Sequence, residues 1–385
     1  MMSRLVVRSR FIAGLLVAVL VAGIAVTAKA ATIDTIARQA ILIDLTSGTV
    51  LFEKNADQRM PTSSMSKIMT MYMVFDRLKQ GRLSLDDSMP VSERAWRMQG
   101  SKMFTELGGR IRVEDLIRGV IIQSGNDASI VLAEGLAGTE AAFADLMNQK
   151  AKELGMNNSH FTNANGWPDP DHYSTGRDLA TLAQRLIQDF PEYYHYFGEI
   201  DFTYHGIKQG NRNPLLYRGI GADGLKTGHT EAAGYGLTAS ARRDSRRVVL
   251  VVNGLPSMQA RADESAKLIE WGFREFSSYA LFKAGETIDE VPVWLGAQEK
   301  VAVTVPNDFA VTMHREERRG MKVTLVVDQP VPAPVARGTQ IGKLVITAPS
   351  FVTREVPVVT AADVERLGFF GRALAAMQHL VLGKS

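Results

Sequence analysis

The spacing of apolar positions divides the chain into blocks of different period. Ala40-Ile41-Leu42-Ile43-Asp44 and Val50-Leu51-Phe52-Glu53 are short runs parted by Thr46-Ser47-Gly48, and read as two strands joined by a turn. Pro61-Thr62-Ser63 then opens a helical pattern that runs to about Gln80, where Gly81 stops it. Met65, Ile68, Met69, Tyr72, Met73, Val74, Phe75 and Leu78 cover most faces of that helix, which predicts a central, buried position. Residues 113–150 predict further helices, interrupted at Ser124-Gly125-Asn126. Residues 156–174 form a loop rich in Asn, Gly, Pro and Asp, and residues 177–190 return to helix. A β-meander follows: a strand through Lys226, another from Tyr235 to Ala241, a turn at Arg242 to Ser245, and a third from Arg247 to Val252. Ser257 to Phe273 is helical with one apolar face. Strands at both ends with helices between them predict an α/β domain of the α+β kind, an antiparallel sheet flanked by helices.

After about residue 278 the texture changes. Val301 to Val305, Met321 to Val327, Leu344 to Thr347 and Val356 to Val359 are short strand-like runs punctuated by Pro and Gly. They predict a separate small all-β domain that carries no clustered His, Asp or Glu, and so a spacer or docking module. Beyond it, Leu367, Phe370, Leu374, Met377 and Val381 share one helical face, with Glu365, Arg372 and His379 opposite. Gly368 and Gly371 weaken such a helix in water. The pattern fits a helix that folds in the plane of a membrane, with packing on the β-domain as the alternative.

Charge locates the N-terminal element. The formal net charge is +3, yet Arg4, Arg8, Arg10 and Lys29 are the only charged residues among the first thirty. Arg4 to Arg10, the apolar run Phe11 to Val26, and Ala28-Lys29-Ala30 before Ala31 form the three parts of a secretory signal peptide. The apolar run is shorter than the roughly 20 residues a span needs. Without those four of its 44 basic residues, against 41 acidic ones, the chain sits one charge below neutral, so no nucleic-acid partner is expected. The expected domains are therefore 1–30 signal peptide, 31–277 catalytic domain, 278–362 small β-domain, and 363–385 amphipathic C-terminal anchor helix. The absence of cysteine excludes disulfides, thiolate metal sites and a cysteine nucleophile. No His₂/carboxylate set or phosphate loop suggests a metal or other cofactor.

Three short motifs carry chemistry. In Ser64-Met65-Ser66-Lys67, a serine and a lysine three apart share a helix face. A desolvated Lys67 has a lowered pKa and can remove the Ser64 proton; Ser63, four before Lys67, satisfies the geometry almost as well. In Ser124-Gly125-Asn126, Ser124 could relay a proton to a leaving amine, and Asn126 could orient Lys67 and hold a substrate amide. In Lys226-Thr227-Gly228, followed by His229, Lys226 adds positive charge against a substrate carboxylate and depresses Lys67, Thr227 can bond that carboxylate, and Gly228 leaves room for substrate backbone along the strand. Each motif alone is common. The ordered triplet S-x-x-K, S-x-N, K-T-G resembles the active-site set of the penicillin-binding serine acyltransferases.

The resemblance extends to Gly100-Ser101-Lys102-Met103-Phe104, Gly119 to Ala128, Gly224 to Thr230, Trp271-Gly272-Phe273-Arg274 and Gly368-Phe369-Phe370-Gly371-Arg372. These stretches are similar to the D-alanyl-D-alanine carboxypeptidases, the low-molecular-mass penicillin-binding proteins of the bacterial periplasm. That resemblance covers essentially residues 31–385 and selects Ser64 over Ser63 as nucleophile. It implies a penicillin-binding transpeptidase-like fold and a serine-type D-Ala-D-Ala carboxypeptidase that trims peptidoglycan stem peptides through an acyl-enzyme. It implies acylation by β-lactam antibiotics, an oxyanion held by the backbone N–H groups of Ser64 and His229, and substrate contacts from Arg212 and Arg261. It places the protein on the periplasmic face of the inner membrane, attached peripherally through the C-terminal helix. A DD-endopeptidase and a non-catalytic cell-wall-binding protein remain as alternatives. A class A β-lactamase is disfavoured, because residues 155–176 contain no Glu to activate water, only Asp169 and Asp171. In the same loop Trp167 has no assigned role, and His172 is expected to be a loop hydrogen-bonder.

Overall fold

The computed structural model describes residues 33–349 and 351–371. The expected signal peptide and residues 372–385 of the expected C-terminal helix lie outside them. The described chain forms two compact units that divide between Arg274 and Glu275.

In the first unit, Gln39–Asp44 (β1) and Thr49–Lys54 (β2) form the expected hairpin. Ser88–Pro90 (β3) pairs with Arg110–Arg112 (β4), and Asp201–Tyr204 (β5) with Ile207–Gly210 (β6), as small outlying hairpins. The meander is Ala222–Thr230 (β7), Gly234–Arg243 (β8) and Arg246–Leu255 (β9). Its last strand pairs antiparallel with β1, Leu42 opposite Leu250, which gives one five-stranded sheet in the order β2-β1-β9-β8-β7. The first and last strands of this unit thus meet at the sheet centre, and every helix but the last comes from the segment between them.

The helices are Lys67–Lys79 (α1), Glu93–Arg97 (α2), Val113–Ile121 (α3), Asn126–Ala137 (α4), Glu140–Glu153 (α5), Gly176–Asp189 (α6) and Met258–Glu275 (α7). Thr139 and Thr175 cap α5 and α6, each accepting a backbone N–H with its hydroxyl. Strand side chains alternate between faces. Ile41, Ile43, Val249 and Val251 enter the core built on α1, α3, α4 and α6. On the other face α7 is so close that a Cβ on Gly272 would meet the Leu42 side chain, and the Trp271 and Phe52 rings lie edge to face at 6.3 Å. Covered on both faces, β1 and β9 carry unbroken apolar runs, Ala40 to Ile43 and Val248 to Val252. α1 is buried on nearly every side, as its all-round apolar pattern requires. Its Phe75 is fully buried and packs against the rings of Phe190, Tyr193 and Phe197.

The helical segment does not begin as one helix. Ser63–Ser66 form a tight 3-10 turn, and the α-helix starts at Lys67. Ser63 takes a left-handed φ of 49°. It is hemmed in by two glycines. A Cβ on Gly166, itself at φ +77°, would lie 1.8 Å from the Ser63 carbonyl oxygen, and one on Gly228 would lie 2.8 Å from the Thr62 carbonyl oxygen. Only glycine allows the loop and the strand to close on the turn from both sides.

The second unit is all β apart from a 3-10 turn at Arg315–Gly320 and the start of a helix at its end. Phe276–Phe282 (β10) pairs with Phe309–His314 (β13). Asp289–Trp294 (β11), Lys300–Thr304 (β12), Lys322–Val327 (β14), Val331–Pro332 (β15), Gln340–Ala348 (β16) and Phe351–Thr360 (β17) form a six-stranded sheet, β14-β16-β17-β12-β11-β15. Val301, Val303, Leu344, Ile346 and Val358 fill its core. Residues 363–368, expected to open the C-terminal helix, are extended instead. Val364 pairs with Val335 and is buried, and Arg366 pairs with Gly296. A buried valine paired to a strand outweighs the helical period, and helix begins only at Phe369.

Because Phe75 joins one aromatic cluster at the centre of α1, Phe75→Ala is expected to cost about 3–5 kcal/mol. Urea unfolding of the native and variant chains checks this.

Candidate active site

Three elements meet at Lys67. The 3-10 turn presents Ser64, half-buried, and α1 begins with Lys67, which is wholly buried. Between α3 and α4 the chain breaks at Ser124, held at φ 59°, and Asn126 becomes the first residue of α4. β7 carries Lys226, Thr227 and Gly228 along the edge of the sheet.

The Lys67 amine has three polar neighbours: Ser64 Oγ at 2.8 Å, Asn126 Oδ1 at 2.7 Å and the Asn165 carbonyl at 2.6 Å. The Asn126 amide is oriented by its own Nδ2, which donates to the Gln99 carbonyl at 2.8 Å, so its oxygen faces the lysine. Burial, then the charge of Arg212, holds the Lys67 pKa well below the ordinary lysine value, with Asp127 and Glu140 opposing. A neutral amine has two N–H groups and one lone pair. The two carbonyl oxygens can only accept, so they take both N–H groups, and the lone pair is left for the Ser64 hydroxyl. This is the hydrogen-bond pattern of a general base poised on its nucleophile.

A second Ser–Lys pair lies alongside. The Lys226 amine donates to Ser124 Oγ at 2.9 Å and to the Thr227 carbonyl at 3.3 Å. Its pKa is lowered well below normal by burial first, then by Lys67, Arg212 and Arg261. Arg212 is exposed, and its guanidinium donates to Ser101 Oγ. Its neighbours Asn211 and Asn213 hold the backbone around it: Asn211 donates to the carbonyls of Phe197 and Glu199, and Asn213 to that of Gly224. Arg261, on α7, is buried, and burial lowers its pKa to about 10. Its guanidinium lies 5.8 Å from the Tyr235 ring, whose other neighbour is the exposed His229 ring, stacked at 3.9 Å. Two lysines and two arginines thus lie close enough to act on one another electrostatically around one site. All ten residues singled out in the sequence lie on the elements around it.

Gly228 also has a packing role. Its missing side chain lets β7 approach the nucleophile turn, since a Cβ would strike the Thr62 carbonyl, Met65 and Ser63. Other contributors had no signal in the sequence reading. The Asn165 carbonyl is main chain and leaves no mark on residue type. The buried Asp127 carboxylate accepts the N–H groups of Met103, Phe104 and Thr105 and so fixes the segment that presents Ser101 and Gln99. An acid directly after S-x-N, facing a Gly-Ser-Lys-Met-Phe loop, is the signal that could have found it. Among the described residues no group of three or more His, Cys, Asp or Glu could hold a metal ion.

A serine activated by a buried lysine, backed by a second Ser–Lys pair under a K-T-G strand, defines a serine acyl-transfer enzyme of the penicillin-binding class. Residues 25–257 match the D-alanyl-D-alanine carboxypeptidase family, and residues 276–366 match the C-terminal domain of penicillin-binding protein 5. The chain belongs to the D-alanyl-D-alanine carboxypeptidase family and is a serine-type peptidase. The carboxypeptidase DacA of Haemophilus influenzae is 38% identical over 338 residues, covering 86% of each chain. DacC of Escherichia coli is 39% identical over 354 residues, covering 90% of this chain and 88% of its own. Among solved structures, penicillin binding protein 5 from Haemophilus influenzae matches with a TM-score of 0.82 at 37% identity, over 87% of this chain and 99% of its own. Penicillin-Binding Protein D2 from Listeria monocytogenes, in its ampicillin-bound form, matches with a TM-score of 0.58 at 32% identity, over 63% and 99%.

Lys67→Arg keeps a cation but cannot become neutral. It is expected to slow acylation by about 10²–10⁴-fold, the usual worth of a general base. In the native protein acylation is expected to rise with pH through an apparent pKa well below that of free lysine. Stopped-flow acylation by a chromogenic β-lactam across pH checks both.

Proposed function

We propose that Ser64 attacks the penultimate D-alanine carbonyl of a peptidoglycan stem peptide, and that the terminal D-alanine leaves. Lys67 takes the Ser64 proton. The single observation that carries this reading is the amine's partner set, two obligate acceptors and one hydroxyl. Backbone N–H groups of Ser64 and His229 stabilise the tetrahedral oxyanion. Ser124, hydrogen-bonded to Lys226, relays the proton taken from Ser64 to the departing amine. The substrate ends in a carboxylate, for which Arg212 and Arg261 supply cations and Lys226 and the Thr227 hydroxyl supply further donors. Asn126 turns part of its amide toward the substrate. Water then hydrolyses the Ser64 ester. Penicillins carry an amide carbonyl and a carboxylate at matching positions and acylate the same serine.

The working chain is exported, residues 1–30 being removed, and acts at the periplasmic face of the inner membrane. Residues 31–274 carry the chemistry, the β-unit serves as a spacer, and the C-terminal apolar stripe holds the protein to the lipid surface. No helix among the described residues is long and apolar enough to cross a membrane.

Incubating residues 31–385 with a peptide ending in D-Ala-D-Ala is expected to release free D-alanine, and Ser64→Ala is expected to release none. Fluorescent penicillin should label one peptide, that containing Ser64; label on Ser63 or Ser66 overturns the assignment. A chain ending at Gly371, beyond the last residue that pairs with the β-unit, should no longer sediment with lipid vesicles. If it still does, the C-terminal segment is not the anchor.

A further inference from the structure

His172 is buried, 106 residues from the nucleophile turn in sequence, and bonded directly to it. Its Nε2 lies 2.7 Å from Ser66 Oγ, and Ser66 Oγ lies 2.5 Å from Thr62 Oγ1. Its Nδ1 receives the backbone N–H of Thr162 at 3.2 Å. A backbone N–H only donates, so Nδ1 is the acceptor, the ring proton sits on Nε2, and Nε2–H donates to Ser66. The ring also lies edge to face with Phe161 at 5.6 Å. His172 therefore ties together two points that flank Lys67: Ser66, the residue before it, and Thr162, three residues before the Asn165 carbonyl that binds its amine. Between Thr162 and that carbonyl the loop is rigid, because Asn163 Oδ1 accepts the N–H groups of Gly166 and Trp167.

We propose that His172 is a positioning residue for acylation: by clamping the 162–167 loop to the turn at Ser66, it keeps the Asn165 carbonyl on the Lys67 amine and the lone pair on Ser64. The inference rests on the Ser64–Lys67 reading above. Its physical basis is that the carbonyl supplies one of two acceptors that replace water around the amine. With the clamp released, water enters, the protonated amine is better solvated, and its pKa rises. The ring must be neutral to hold the clamp, since a proton on Nδ1 would set two donors face to face at Thr162. Burial keeps it neutral, lowering its pKa to about 4; Lys67 and His160 act in the same direction, and Asp169 opposes them.

The experiment compares acylation by a chromogenic β-lactam between pH 5 and 10 in the native chain, His172→Phe, His172→Gln and Ser66→Ala. Phenylalanine fills the site without the bond, glutamine keeps an N–H near Nε2, and Ser66→Ala removes the acceptor with little change in volume. His172→Phe and Ser66→Ala are expected to lose roughly 10–100-fold in acylation rate. They should also move the acid limb of the rate profile upward by about one pH unit, while His172→Gln stays near native. Loss of fold alone lowers the active fraction and leaves the limb in place. An acid limb unmoved in both His172→Phe and Ser66→Ala overturns the proposal, as does a His172→Gln protein as impaired as His172→Phe. If the native chain is not acylated on Ser64 at all, it is the assignment of the nucleophile that fails.

Discussion

The structure depends on burying one amine. Lys67 is placed where an ammonium ion is badly solvated, and the surroundings are arranged for its neutral form. A neutral amine is asymmetric, so two acceptors must come from fixed directions to leave the third direction to Ser64. One acceptor comes from the first residue of α4, which requires the break between α3 and α4. The other comes from a loop between α5 and α6. The fold therefore brings three separate segments to the start of α1, and each is locked: Asn126 by Gln99, the 101–105 segment by Asp127, and the loop by Gly166 against Ser63. The cost falls on stability. A lysine whose folded pKa lies below its unfolded value opposes folding when protons are plentiful, and that penalty shrinks as pH rises from the folded pKa toward the unfolded one.

Lys226 extends the same arrangement. Arg212 makes Lys67, Lys226 and Arg261 less willing to carry a proton, and Lys67 and Arg261 do the same to Lys226, each in addition to burial. Asp127 and Glu140 temper this at Lys67, but both carboxylates are spent on the protein's own donors. A ligand carboxylate meets a groove with positive charge still to satisfy. Electrostatics thus favours a substrate with a free acid at its end over one whose chain continues.

Much of this was legible in the sequence, for reasons that differ by element. The main strands and helices were readable because burial on all sides writes continuous apolar runs into β1, β9 and α1, and burial of one face writes a helical period into α6. The outlying hairpins were not, since β3 to β6 run only three or four residues each, too few for alternation to stand out. Ser64, Lys67, Ser124, Asn126 and Lys226 were readable because side-chain chemistry at set spacing carries the signal. Arg212 and Arg261 came through family resemblance alone, because their approach to the groove depends on tertiary packing. The Asn165 carbonyl was invisible, as any residue offers the same oxygen. The helical period from Leu367 to Phe370 is real in the sequence, but Val364 and Arg366 find strand partners that a local pattern cannot foresee.

Gly228 constrains how such an enzyme can change. The strand that lines the substrate groove touches the turn bearing the nucleophile at the point where this residue lacks a Cβ. A natural route to drug discrimination is to add bulk along the wall that an inhibitor must slide past. Here added bulk at 228 presses on Thr62 and Ser63 first, and so displaces the turn that presents Ser64, the proposed nucleophile. Escape from an acylating antibiotic through this position is coupled to loss of the native turnover, and selection would have to work on the opposite rim.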